Sequence, residues 1–199
     1  MHVPDVTAAG IFHHAIRFTN TDPASEVGQY VATYETNFED VAQAMTAHQD
    51  ARSKLNYGGD RSSPWMESSG AHIFRRLGGE FRAASKPSIG IFLMFTNCKD
   101  SAKEDEFNRW YEDLHIPEIL STGAFHTVYR YECLDPERLK AKFLAVYETD
   151  TADLTTARAT MSEGMAAIRA EKERSGVVPE PSLVQGVFSL NARRIWPMD

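Results

Sequence analysis

Cysteine is scarce: Cys98 and Cys133 are the only two in 199 residues. Two thiols cannot build a disulfide framework, and neither belongs to a CxxC or Cys/His spacing that would hold zinc. No apolar run approaches the roughly 20 residues needed to span a membrane. The N-terminal stretch "MHVPDVTAAGIFHHAIRF" lacks the basic start and long apolar core of a signal peptide. These absences point to a cytoplasmic protein with reduced thiols. Positive charge is also in short supply, with 21 Lys and Arg against 28 Asp and Glu. The only basic pairs of note, Arg75-Arg76 and Arg193-Arg194, read as solvated strand ends. Neither nucleic acid nor an anionic membrane is the expected partner of such a chain. GxGxxG, P-loop, GxSxG and HExxH signatures are all missing, so no metal and no cofactor are expected.

What the chain does contain is a repeat. Residues 2–45, "HVPDVTAAGIFHHAIRFTNTDPASEVGQYVATYETNFEDVAQAM", align without a gap on residues 115–158, "HIPEILSTGAFHTVYRYECLDPERLKAKFLAVYETDTADLTTAR". The offset is 113, and fourteen of the 44 positions are identical. About two or three identities would arise by chance at ordinary residue frequencies. The matches include His2/His115, Pro4/Pro117, Gly10/Gly123, His13/His126, Arg17/Arg130 and Tyr34-Glu35-Thr36/Tyr147-Glu148-Thr149. Such a match reads as duplication of one structural unit.

The second copy carries the full set of elements. "SIGIFLMFTN" (88–97) is a short apolar run, hence a buried strand. "KEDEFNRWYEDLHIPEIL" spaces Phe107, Trp110, Tyr111 and Leu114 as a helix, with Pro117 as its weak point. "GAFHTVYRYECL" and "KAKFLAVYET" alternate as strands around the turn "DPERL". "TADLTTARATMSEGMAAIRAEKER" is a second helix and "SLVQGVFSLNARRI" a last strand. The order βαββαβ is that of the ferredoxin-like unit, giving an α+β fold of tandem repeats: an incomplete one over residues 1–80 and a complete one over 86–199. The first copy offers strands at about 10–19 and 28–36, a helix at 38–55 and a strand at 70–77, but no first strand and little of the first helix. Its missing strand is expected to come from an upstream start, from a partner subunit, or to be bypassed by pairing of 70–77 with 28–36. "NYGGDRSSPWMESSG" reads as a loop and "GGEFRAASKPS" as a linker.

The stretch "EFNRWYEDLHIPEIL…G", between a strand and a His-bearing strand, resembles the EthD-like members of the dimeric α+β barrel superfamily. The resemblance implies two ferredoxin-like units packed sheet to sheet around a cavity. It implies a cofactor-independent enzyme acting on a small aromatic or polyketide-like organic acid by proton transfer, as an isomerase, cyclase or lyase. The alternative is a non-catalytic ligand-binding protein or oligomeric scaffold, and a homodimer is left open. Haem, with His115 as proximal ligand, has no other support in the sequence.

Strand parity then nominates residues. Phe125, Thr127, Tyr129 and Tyr131 share one face, expected to pack on the helices. His126, Val128, Arg130 and Glu132 share the other, expected to face the inter-sheet space, as do His13 and Arg17 in the first copy. A histidine and an arginine on one sheet face present a base and an anion donor. His115 or His126 is the expected base and Arg130 the anion or enolate stabiliser. Trp110 or Tyr111 is the apolar wall, and His13 and Arg17 are further substrate contacts. Each also has a structural reading: core aromatics, a rim ion pair, or a helix-end histidine. His14, His48 and His72 read as structural or exposed.

Overall fold

The computed structural model describes residues 10–22, 28–54, 70–78, 83–175 and 183–197. Outside them lie most of the expected loop at 56–70, the His2, Pro4 and Pro23 matches, and the side chain of His48. Gly90–Cys98 (GIFLMFTNC) is apolar on both faces and forms β4, a central strand buried on both sides. The strands before it are β1 (His14–Asn20), β2 (Tyr30–Glu35) and the short β3 (Phe74–Arg76), with helix α1 (Val41–Lys54) between the last two. After it come α2 (Glu104–Trp110), a π-helical turn (Tyr111–His115) and α3 (Ile116–Ser121). Then follow β5 (Thr127–Cys133), the single turn α4 (Pro136–Leu139), β6 (Phe143–Thr149), α5 (Leu154–Arg174) and β7 (Val184–Trp196). The seven strands form one curled, half-barrel sheet in the order β2-β1-β7-β4-β6-β5-β3, with every neighbouring pair antiparallel. Two separate sheets were expected; β1 joins β7 and β3 joins β5, so the sheet is continuous. The expected shortcut is also corrected, because β3 pairs with β5 and not with β2.

The β1–β2 and β5–β6 hairpins share one register. His14↔Glu35, Ile16↔Thr33 and Phe18↔Val31 become Thr127↔Glu148, Tyr129↔Val146 and Tyr131↔Leu144 at the 113-residue offset. Outside the strands, His13 N–H donates to the Glu35 carbonyl and His126 N–H to that of Glu148. Phe12 and Tyr34 lie 5.4 Å apart at 52°, and Phe125 and Tyr147 lie 5.6 Å apart at 55°. Asp40 and Asp153 each accept a backbone N–H at the start of the following helix. Gly10 and Gly123 both sit at φ +72°, Gly123 just past the end of α3 with its N–H on the Leu120 carbonyl. A Cβ there would meet nothing within 4 Å, so the cost of a side chain is purely conformational. Gly123→Ala is therefore expected to cost about 1 kcal/mol in urea unfolding; no loss would mean that the left-handed turn relaxes.

Pro117 does not stop the first helix of the complete unit. It sits in the opening turn of α3, lacks an N–H and would crowd the carbonyl four residues back in a regular helix. The chain answers with the wider turn just before it, in which Ile116 N–H donates to the Tyr111 carbonyl.

The sheet carries a core on each face. On the helix side Phe92, Ala145 and Tyr147 meet Phe107, Tyr111 and Ile119. On the concave side Ile91, Leu93 and Phe95 meet Phe18, Leu144 and Leu190. This reverses the expected faces. Val128 and Arg130 lie against the helix-side core, while Tyr131 and Ile16 belong to the concave one. Phe125 lies in the helix-side core because it precedes β5 and is not bound by that strand's alternation. The expectation assumed that only the helix side is apolar, whereas a curled sheet buries both.

Candidate acid–base site

Four of the predicted residues do come together, on the helix side. The Arg130 guanidinium stacks 4.2 Å from the Tyr111 ring centre and 5.2 and 5.5 Å from those of Phe107 and Phe143. It donates to Asn108 Oδ1 at 2.9 Å and lies 3.5 Å from Glu112. Tyr111 and Tyr147 share a buried hydroxyl–hydroxyl bond of 3.1 Å. Burial pushes both phenols above their ordinary value and weakens the protonated form of Arg130. His115 stacks on Trp110 at 4.6 Å and meets Tyr111 edge-on at 4.8 Å. Its burial, reinforced by the Arg130 charge and opposed by Glu118, lowers its pKa to about 4, so it is neutral at physiological pH. Arg130 is 3% exposed and Tyr111 and Tyr147 are each 2% exposed. Their donors and faces are already taken up by one another, which is the arrangement of a packed core with His115 and Trp110 on its border.

The other predicted residues lie apart from that cluster. His126 stands just before β5, its Nδ1 2.9 Å from Thr127 Oγ1. Desolvation lowers its pKa, opposed by the Pro87 carbonyl and Asp150. His13, its counterpart, is exposed, and Arg17 lies on the face opposite Phe18, close to the half-buried Tyr34. His14, read as lacking context, faces Glu35 at 3.4 Å.

A second constellation occupies one end of the concave face. Glu148 lies opposite Thr127 on β5 and Ile91 on β4, and so shares the face of the concave core. Glu35 holds the equivalent place in the first hairpin, opposite His14. The curl brings these distant strands within electrostatic reach, and the Glu35 charge acts on Glu148, Tyr129 and Tyr131. Desolvation, with a smaller push from Glu35, raises the Glu148 carboxyl to about 7. The buried Ser88 hydroxyl beside it favours the charged form, yet its geometry falls short of a complete hydrogen bond. Burial and the two carboxylates raise the Tyr129 phenol, and Arg76 on β3 opposes that.

Sequence reasoning missed Glu148, Glu35, His14, Tyr129 and Ser88. The signal was present in the repeated "YET", where a glutamate recurs at the same strand position in both hairpins. Among the described residues no three His, Cys, Asp or Glu side chains stand together as a metal site, and no helix is long and apolar enough to cross a membrane. The chain matches no family model and no curated protein.

Proposed function

We propose that the chain is a cofactor-independent enzyme that transfers a proton on a small aromatic or polyketide-like organic acid, as an isomerase, cyclase or lyase of the EthD-like type. In this reading residues 1–80 and 86–199 are an incomplete and a complete ferredoxin-like unit of one α+β barrel. The repeated hairpin register and the β7-β4-β6-β5 strand order of the second unit support it. The observation that carries the activity is Glu148, a partly sheltered carboxyl on the concave face whose pKa near 7 lets it give or take a proton at neutral pH. Ionised Glu148 removes a proton from the carbon next to a carbonyl, and the same carboxyl returns it at another atom. The Ser88 and Tyr129 hydroxyls are the donors nearest that carboxylate for the developing enolate. Arg76, whose charge reaches both Tyr129 and Tyr131, takes the anion-holding part that the sequence suggested for Arg130. His126 borders this end through its bond to Thr127.

The test is deuterium uptake from heavy water at the acidic carbon of phenylpyruvate and of 3,5-dioxohexanoate, followed by NMR. Uptake above the buffer rate should rise as the pH passes through about 7 and fall by roughly 10²–10⁴-fold in Glu148→Gln. Full activity in Glu148→Gln together with loss in His115→Ala would return the chemistry to the helix side. Retention of either acid in native mass spectra without exchange would support the rival reading, a non-catalytic ligand-binding or scaffold protein.

A further inference from the structure

The two edges of the sheet are halves of one vacancy in an otherwise two-fold pattern. β5 pairs with β3 through Tyr131↔Arg76, Glu132↔Arg75 and Cys133↔Phe74. β1 pairs with β7 through Phe18↔Arg194, Thr19↔Arg193 and Asn20↔Ala192. Shifting Phe18, Thr19 and Asn20 by the repeat offset gives Tyr131, Glu132 and Cys133, so β3 stands to β5 as β7 stands to β1. The arginine pairs Arg75-Arg76 and Arg193-Arg194 fall on each other in the same operation. In the complete half, β6 and β7 do not touch; β4 lies between them, antiparallel to both. In the other half, β2 and β3 are the counterparts of β6 and β7, and they are the outer strands of the sheet.

We propose that a second polypeptide donates an extended strand to this seam, antiparallel to β2 and β3, with the chemistry of β4. The backbone of β2 is already set for it. Glu35 uses its carbonyl on the β1 side, so Tyr30, Ala32 and Tyr34 direct their N–H and C=O groups outward. Their counterparts Phe143, Ala145 and Tyr147 direct theirs to β4, as the Ile89 bond to Thr149 in the same series shows. β2 also lacks the usual guards of an open edge: Tyr30–Glu35 (YVATYE) contains no lysine, proline or bulge. The donated strand needs apolar side chains at alternate positions, as Ile91, Leu93 and Phe95 in β4, to continue the concave core past Val31 and Phe74. The parts of this chain outside the described residues, such as "LNYGGDRSSPWMESS" and "GVVPEPS", contain no such run. That is why the strand is assigned to another polypeptide.

The experiment adds a fluorescent peptide of sequence SIGIFLMFTN, flanked by lysines for solubility, to the full chain. Saturable binding by anisotropy is expected, with amide exchange at Ala32 and Tyr34 slowed by about tenfold or more. A peptide N-methylated at alternate residues should not bind, and Ala32→Pro, which removes an outward N–H while leaving the β1 bonds, should abolish binding of the unmodified peptide. Absence of binding, or binding without protection of these amides, overturns the proposal. So does protection that is already present without peptide and grows with protein concentration, because a second copy of this chain would then cover the β2 edge.

Discussion

Arg130→Ala is expected to lower the free energy of unfolding by about 3–5 kcal/mol, the range for breaking a buried charged arrangement by removing one partner. The guanidinium is 3% exposed and spans the contact between β5 and the α2 helix. Its loss opens a cavity among Tyr111, Phe107 and Phe143 and leaves Asn108 Oδ1 without its donor. For a chain of this size that corresponds to a fall of roughly 10 °C in the melting temperature. Arg130→Met should lose less, since it refills most of the volume, and Glu112 is exposed enough to turn to water. Differential scanning calorimetry on the two variants measures this. A loss below about 1 kcal/mol in Arg130→Ala, with proton-transfer activity abolished, would reverse the structural assignment.

Glu148→Gln is expected to do the opposite at neutral pH and stabilise the fold. An ordinary glutamate in the unfolded chain has a pKa of 4.5, whereas Glu148 in the folded chain titrates at about 7. Below about pH 4.5 both states hold the proton and the side chain imposes no penalty. As the pH rises through this window the unfolded chain ionises first while the folded chain keeps its proton. Stability therefore falls until about pH 7 and is flat above. The full difference is on the order of 3 kcal/mol, taking 1.36 kcal/mol per pKa unit. Glutamine keeps the neutral shape and removes that slope. Urea curves for the two proteins should coincide near the acid end of the window and separate toward its neutral end, with the variant more stable. Other titrating groups, among them Glu35, His14 and His126, cancel in the difference. Parallel profiles would mean that Glu148 is solvated like any surface glutamate, and the proposed proton transfer would lose its basis.

Much of this architecture was legible in the sequence because repetition carries register. The gapless match over Gly10–Thr36 and Gly123–Thr149 located both hairpins, and Gly10 and Gly123 adopt the same left-handed turn. The helix holding Phe107 and Tyr111 was read from its spacing, and both residues are buried. Face assignment failed for a physical reason. Alternation tells which residues share a side, but apolarity tells which side is buried only when a single side is. Here Phe18 and Tyr131 fill a concave core while Arg130 lies under a helix with its charge spread over three rings. An arginine in sequence gives no sign of that. Nor does a glutamate reveal that curvature will bring it near its own duplicate, as happens to Glu35 and Glu148. The predicted base His115 was placed correctly on the helix, but its burial between Trp110 and Tyr111 draws its pKa far below neutrality.

The wide turn at Tyr111–His115 has a geometric consequence for reading this helix. Residues spaced by four creep around an α-helix by about 40° at each step, because a turn holds 3.6 residues. Phe107, Tyr111, His115 and Ile119 are spaced by four throughout, and over three steps the creep would carry Ile119 about a third of the way around the axis, away from the sheet. Ile119 is nonetheless 3% exposed and belongs to the same core as Phe107. The π-helical turn rotates each of its residues by less, and so winds the creep back midway. The two ends of the helix thus keep separate phases: a face plotted at one constant pitch from Glu104 would drift out of step beyond His115, where the proline has reset the count.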